Sequence, residues 1–317
     1  MRTFAALALL GAASAMPLAE NDYEFMNFIT KYGKSYGTVE EFNFRAAQFA
    51  KTAAAIHQIN AEQDTHVAAH NKFSDFTHSE YKRMFGLAEA PLKDINAPLH
   101  KVVGTPANNI DWRSSGVVNS VKDQGQCGSC WAFSTTASTE SAWAISGRGL
   151  ISLSEQQLVS CSSAQGNQGC SGGWYFWAWD YMRTNAVETE ANYPYTSGAG
   201  TTGACKVNAS LGVVKVSSYT QVAASSTAIK SAINLKPVSV AIEADTYAFQ
   251  TYSTGILTTG CGTNIDHAVV AVGYGSNYYI VRNSWGGSWG ESGYVRIAMT
   301  EGLGTCGINQ YVFYPTI

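Results

Sequence analysis

Gln124-Gly125-Gln126-Cys127-Gly128-Ser129-Cys130-Trp131 is the stretch on which the reading of this chain turns. A Cys-x-x-Cys pair has three readings. A redox pair calls for a βαβ setting of the thioredoxin kind, which the surrounding sequence lacks. A zinc pair needs two further ligands. The third reading makes Cys130 a nucleophile at the start of a helix that runs to Ser146, with Cys127 tied elsewhere. The histidines separate these readings. From Pro106 onward the chain holds a single one, His267. One imidazole cannot complete a Cys/His zinc site of ordinary composition without consuming most of the cysteines. It can serve one thiolate.

The physical chemistry of the third reading is consistent. The thiolate, not the thiol, is the nucleophile, and an unperturbed cysteine is mostly protonated at neutral pH. Unpaired N–H groups at a helix N-terminus favour the anion, as does a neighbouring imidazolium. His267 then protonates the leaving amine. Its ring needs an orienting hydrogen bond, and Asn283 in Val281-Arg282-Asn283-Ser284-Trp285-Gly286 is the candidate. Gln124 and the Cys130 backbone N–H are the candidate oxyanion donors.

The compartment follows from the start of the chain and from the cysteines. Met1-Arg2, the apolar run Phe4 to Leu10 and the small residues Ala13-Ser14-Ala15 read as a secretory signal peptide, residues 1–15. No other stretch is long and apolar enough for a membrane anchor. The seven cysteines are Cys127, Cys130, Cys161, Cys170, Cys205, Cys261 and Cys306. In an oxidising compartment they pair, and an odd count leaves one thiol free. Asn208-Ala209-Ser210 is a glycosylation sequon. Charged residues make up only 14% of the 317 residues and the net charge is −3, which excludes the basic face that nucleic acid requires.

Residues 16–105 differ from the rest. They hold no cysteine but five of the six histidines: His57, His66, His70, His78 and His100. Protonating these adds positive charge, so acidification is expected to loosen this segment. Phe25, Phe28, Ile29 and Tyr32 mark one helix beginning at Asp22. Thr38 and Glu41 form a capping box for a second, with Phe42, Ala46, Phe49, Ala53 and Ile56 as its apolar stripe. Ala88 to Pro106 reads as an extended linker. Beyond it, a helical half precedes a β half. Ser154 opens a short helix, Trp174 to Met182 is an aromatic-rich helical run, and Val238–Ile242, His267–Val272, Tyr278–Val281 and Gly293–Ile297 have strand character.

With these motifs in place, the sequence resembles the papain-like cysteine proteases, in particular their cathepsin L-like subgroup. Asp111-Trp112-Arg113, Cys127 to Phe133, Ser154 to Cys161, Cys170-Ser171-Gly172-Gly173, Asp266-His267-Ala268-Val269, Asn283-Ser284-Trp285-Gly286 and Cys306-Gly307 carry the likeness. So do Glu41, Arg45, Phe49, Ile56 and Asn60 in the leading segment, where Thr52 replaces the family's Asn. Asn71, Phe73 and Asp75 match a second motif there, with Ala69 in place of a Gly.

The resemblance implies an α+β, two-lobed papain-like fold, with a helical left lobe and a β-barrel-like right lobe behind a helical pro-domain. It implies an inhibitory pro-domain at 16–105 and a peptidase domain at 106–317. Disulfides Cys127–Cys170, Cys161–Cys205 and Cys261–Cys306 are implied, leaving Cys130 free. Gly172, Gly173, Trp174, Ala241, Ile265, Asp266 and Tyr311 become the substrate-binding residues, with Trp285 shielding the His267–Asn283 bond. The pocket walls are apolar, so an apolar second substrate residue is expected and Arg disfavoured.

No insertion resembling the occluding loop of exopeptidase relatives follows Cys170, so endopeptidase action is expected. Expected partners are protein and peptide substrates, the chain's own pro-segment as inhibitor, and cystatin-like inhibitors. No nucleic acid, metal or cofactor is implied, and a monomer is the default. The expected destination is the secretory pathway, ending in a lysosome- or food-vacuole-like compartment or outside the cell. Two other functions compete: a catalytically inactive homologue acting as a binding protein, and a Cys-His-Asn acyltransferase. The intact Cys130, His267, Asn283 and Gln124 speak against the first, and the leading segment against the second.

Overall fold

A computed structural model describes residues 20–89 and 95–317, so the expected leader at residues 1–15 lies outside the described residues. The elements run α1 (Glu20–Tyr32), α2 (Val39–Glu62), β1 (His66–Ala68), α3 (His78–Lys82), β2 (Ile110–Asp111), α4 (Cys130–Trp143), α5 (Glu155–Cys161), α6 (Tyr175–Thr184) and β3 (Ser218–Val222). They continue with α7 (Ser226–Leu235), β4 (Val238–Ile242), α8 (Tyr247–Gln250), β5 (Tyr252–Leu257), β6 (His267–Tyr274), β7 (Tyr278–Arg282), β8 (Tyr294–Ala298) and β9 (Val312–Thr316). No helix among the described residues is long and apolar enough to cross a membrane.

The leading segment folds around its aromatic residues. Phe25, Phe28 and Phe49 are buried where α1 crosses α2, with Phe49 in ring contact with both others. Thr38 caps α2 by accepting from the Glu41 N–H, but Glu41 reaches back to the Gly37 N–H, one residue before the cap. The box expected from sequence is therefore shifted by one donor. Thr52 is buried and satisfies its hydroxyl on the Gln48 carbonyl of its own helix, which is how it stands in for Asn. Arg45 forks onto Glu80, tying α2 to the start of α3.

The sheet follows the order β1-β5-β8-β7-β6-β4-β9-β3, with β2 beside β6. Its first strand comes from the leading segment and pairs antiparallel with β5. The path has two ends that do not pair with each other. The barrel-like lobe expected from the resemblance is therefore an open, largely antiparallel sheet, with β5 and β8 paired in parallel. At the far end Leu99 bridges to Gln221 of β3, and the His100 N–H bonds the Gln221 carbonyl.

Helix α4 lies between the lobes and is buried from Cys130 to Ala142. A helix buried all round must satisfy its polar side chains inside the protein. Ser134 donates to the Val269 carbonyl of β6, and Ser138 bonds Ser239 of β4. Glu140 shares Lys122 with Glu155 of α5. Beyond α4 the helical lobe is filled by Trp131, Leu158, Trp174, Phe176 and Trp179. The other core gathers Ile229, Val240, Phe249, Val281, Trp285 and Trp289 behind the sheet, and Phe73, Tyr81 and Met84 of the leading segment join it. The disulfides are Cys127–Cys170, Cys161–Cys205 and Cys261–Cys306, and Cys130 is the free cysteine among the described residues.

Candidate active site

Cys130 opens α4 at the junction of the two lobes. Its neighbours are β6, which begins with His267, and the loop after β7, which carries Asn283, Ser284 and Trp285. His267 Nε2 lies 2.8 Å from Asn283 Oδ1. Nδ1, the other ring nitrogen, is buried and has no hydrogen-bond partner among the described residues. The Trp285 ring lies 4.9 Å from the His267 ring, and Phe249 closes it from another side. Burial lowers the His267 pKa to about 4, although the Asn283 bond favours the charged form. Burial also pushes the Cys130 thiol up to about 12, while the backbone N–H groups of Ala268, Gly86 and Trp131 pull it down. In this form the pair is neutral.

Gln124 is held on both sides. Its N–H donates to the Ser284 carbonyl, and its Oε1 accepts from the Ser284 hydroxyl at 2.6 Å. That leaves Nε2 to point inward, where it donates to the Cys127 carbonyl and, at 2.7 Å, to the Met84 carbonyl. Gly125 has φ +61, and a Cβ there would stand 2.3 Å from the Gly198 carbonyl, so this turn requires glycine.

Met84 to Ala88 run directly over this centre. The Gly173 N–H donates to the Gly86 carbonyl at 2.9 Å, the Leu87 N–H to the Asp266 carbonyl at 3.2 Å, and Trp174 Nε1 to the Ala88 carbonyl at 2.7 Å. A Cβ on Gly86 would lie 1.8 Å from the Gly128 carbonyl, so only a glycine passes here. The Phe85 ring covers His267 at 5.6 Å. Cys130 and His267 are consequently inaccessible to solvent.

A family model for "Papain family cysteine protease" matches residues 106–316. This chain belongs to the papain family of cysteine proteases. A second model, for the cathepsin propeptide inhibitor domain, matches residues 25–81. Digestive cysteine proteinase 2 of Homarus americanus is 38% identical, over 99% of this chain and 99% of its own. Thiol protease SEN102 of a Hemerocallis species is also 38% identical, over 98% of this chain and 92% of its own. The solved structure of digestive procathepsin L 3 from the larval midgut of Tenebrio molitor superposes with a TM-score of 0.85 at 35% identity, covering 95% of this chain and all of that one. The protease is thus a cysteine endopeptidase of cathepsin L-like type, made as a zymogen with its inhibitory segment attached.

The remaining expected residues lie around the covering segment. Leu87 and Ala88 of the zymogen pack against a cluster that contains Trp174, Ala241 and Ala268, with Ile265 and Tyr311 at its margin. Trp174 and Tyr311 meet ring to ring at 4.9 Å. Gly172, at φ +127, faces the Gly86 carbonyl. Asp266 meets the segment through its backbone carbonyl. Its carboxylate turns away to the N–H groups of Ala244 and Asp245, and burial raises its pKa to about 7.

Sequence reasoning missed Ser284, Ala268 and the covering residues Met84 to Leu87. Ser284 and Ala268 each sit one place after a residue singled out in the sequence, so adjacency was their signal. The covering residues carry no catalytic side chain and gave none.

Proposed function

We propose that the mature protease, residues 106–317, cleaves peptide bonds with Cys130 as nucleophile and His267 as its acid–base partner, and that residues 16–105 are the inhibitory segment removed to produce it. The Cys130 thiolate attacks the scissile carbonyl carbon. The resulting oxyanion takes hydrogen bonds from Gln124 Nε2 and the Cys130 N–H. Protonated His267 gives its proton to the departing amine, leaving an acyl-enzyme. His267 then takes a proton from water as that water attacks the thioester, and returns it to the sulfur as the carboxylic acid leaves. Asn283 Oδ1 orients the imidazole so that Nδ1 faces the sulfur, and Trp285 keeps water from that bond.

The observation that carries this reading is the covering segment itself. The Met84 carbonyl occupies the Gln124 amide, Cys130 is fully covered, and Leu87 packs on the apolar recess. The amide, the sulfur and the recess that the reaction needs are thus covered by the segment that blocks them. Leu87 also supports the specificity. The recess formed by Trp174, Ala241, Ile265 and Tyr311 takes an apolar second substrate residue and rejects Arg, which would bury a charge without a carboxylate partner. Synthesis through the secretory pathway, with cystatin-like inhibitors as external regulators, completes the proposal.

The test is hydrolysis of a fluorogenic Leu-Arg or Phe-Arg peptide by precursor acidified under mild reductant, beside a Cys130→Ala control. Activity that appears as the segment is lost, and is absent from the control, supports the reading. Folded and fully processed protein that stays inert over a broad peptide set overturns it in favour of a binding protein or an acyltransferase.

A further inference from the structure

Ser129 is the N-cap of α4, the place where a serine hydroxyl ordinarily accepts from the N–H of the second or third helical residue. Here it makes no such bond, and its backbone (φ −103, ψ 15) is outside the extended region usual for a cap. Its Oγ lies instead 2.8 Å from the Tyr195 hydroxyl. Tyr195 in turn donates to the Gln124 carbonyl at 2.9 Å. A carbonyl only accepts, so the Tyr195 proton belongs to Gln124 and the Ser129 proton to Tyr195.

Tyr195 is well anchored. Its ring stands edge-on to Phe133 at 4.9 Å, and its N–H donates to Glu190 at 2.9 Å.

The consequence lies in the first turn of α4. The N–H groups of Ala132 and Phe133 are satisfied by the Ser129 carbonyl. The Trp131 N–H, at the second helical position, has no acceptor within the helix and favours the charged form of Cys130. A capping Ser129 hydroxyl would compete for that same N–H and would place its lone pairs at the positive end of the helix, where the thiolate needs to be favoured.

We propose that Tyr195 is a positioning residue of the nucleophile: by holding the Ser129 hydroxyl off the helix cap, it reserves the Trp131 N–H for the Cys130 thiolate. The Tyr195 hydroxyl also ties the Gln124 backbone to Ser129 at the start of α4, so the two oxyanion donors move as one unit. This rests on the reading of Cys130 as nucleophile.

The experiment compares processed wild type, Tyr195→Phe, and Tyr195→Phe with Ser129→Ala. It follows the pH dependence of Cys130 alkylation by iodoacetamide, together with kcat and KM. Tyr195→Phe is expected to move the acid limb of alkylation up by about half a pH unit, the size of a helix-terminus effect. Its kcat falls about threefold while KM holds. The double variant, which has no hydroxyl to cap with, returns the limb toward wild type. An active wild type whose limb does not move in Tyr195→Phe overturns this inference alone. So does a shift that Ser129→Ala fails to relieve, or a lower melting temperature without any shift. A processed wild type that neither alkylates at Cys130 nor cleaves peptides overturns the nucleophile and this inference together.

Discussion

Replacing His70 by Phe is predicted to flatten the pH dependence of the inhibitory segment between pH 7.5 and 5. The His70 ring stacks on Phe49 at 4.0 Å and 13°, and its Nδ1 is buried without a partner. Burial lowers its pKa from 6.5 to about 4. The folded segment therefore holds this ring neutral, while the unfolded segment binds a proton below about pH 6.5. The stability involved is fully present above that value and is lost as the pH falls toward 4. A shift of this size amounts to about 2 kcal/mol at pH 5 for a fully shielded group. His70 is only half-buried, and Glu24 and His57 line the groove beside it, so solvent screening reduces the figure to about 1 kcal/mol.

Phe preserves the flat contact with Phe49 and takes up no proton. The pairing of Glu80 with Arg45 does not confuse the comparison. That bond holds Glu80 at about 2, so its contribution is present above the ordinary carboxylate range and is lost only well below pH 5. The assay is hydrogen exchange of the α1 and α2 amides in an uncleavable Cys130→Ser zymogen, corrected for the intrinsic pH dependence of exchange. Wild type should lose about fivefold more protection than His70→Phe over this interval. Coincident slopes would refute the reasoning and move the acid response to other groups, His66 first, since its buried ring has neither nitrogen bonded.

Gln124→Ala should lower kcat by about 10²–10³ with little change in KM, as loss of one oxyanion donor does elsewhere; steady-state kinetics on a peptide substrate checks it. Peptides with Leu in the second position should exceed their Arg counterparts in kcat/KM by at least about tenfold, and Tyr311→Glu should narrow the gap by giving the recess a carboxylate. Lys122→Met should cost about 3–5 kcal/mol in denaturant unfolding, because it strands Glu140 and Glu155, both 1% exposed, without their cation.

The residues of the candidate site could be picked out in the sequence because the chemistry proposed for them needs particular side chains. A thiol at a helix start, one histidine downstream and an amide to orient it cannot be disguised. The long helices were legible for the same kind of reason. The α2 stripe of Phe42, Ala46 and Phe49 has helical spacing, and the observed helix runs only two residues past the expected end.

The central strands β4, β6, β7 and β8 were legible from their β-branched and aromatic residues, whereas several other elements were not. Strand β1 has three residues and exists because β5 lies beside it. Helix α7 and strand β9 went unnoticed, although α7 has a Ser225 cap and a buried Ile229–Ala232–Ile233 face. The open sheet escaped as well, since local alternation fixes which side of a strand faces inward but not whether the two end strands meet.

The segment that blocks the cleft also finishes the sheet. Strand β1 lies along β5 at one end of the path, and residues 98–100 lie along β3 at the other. Cutting the chain near Pro106, as proposed, would take away both borders at once. The mature enzyme then carries two bare strand margins whose N–H and C=O groups face water and any extended peptide that passes. Maturation at that point would thus uncover two strand margins that the leading segment covers in the zymogen. Two features would limit this exposure: β5 departs from extended backbone at Gly255, where φ is +97, and β3 is only five residues long.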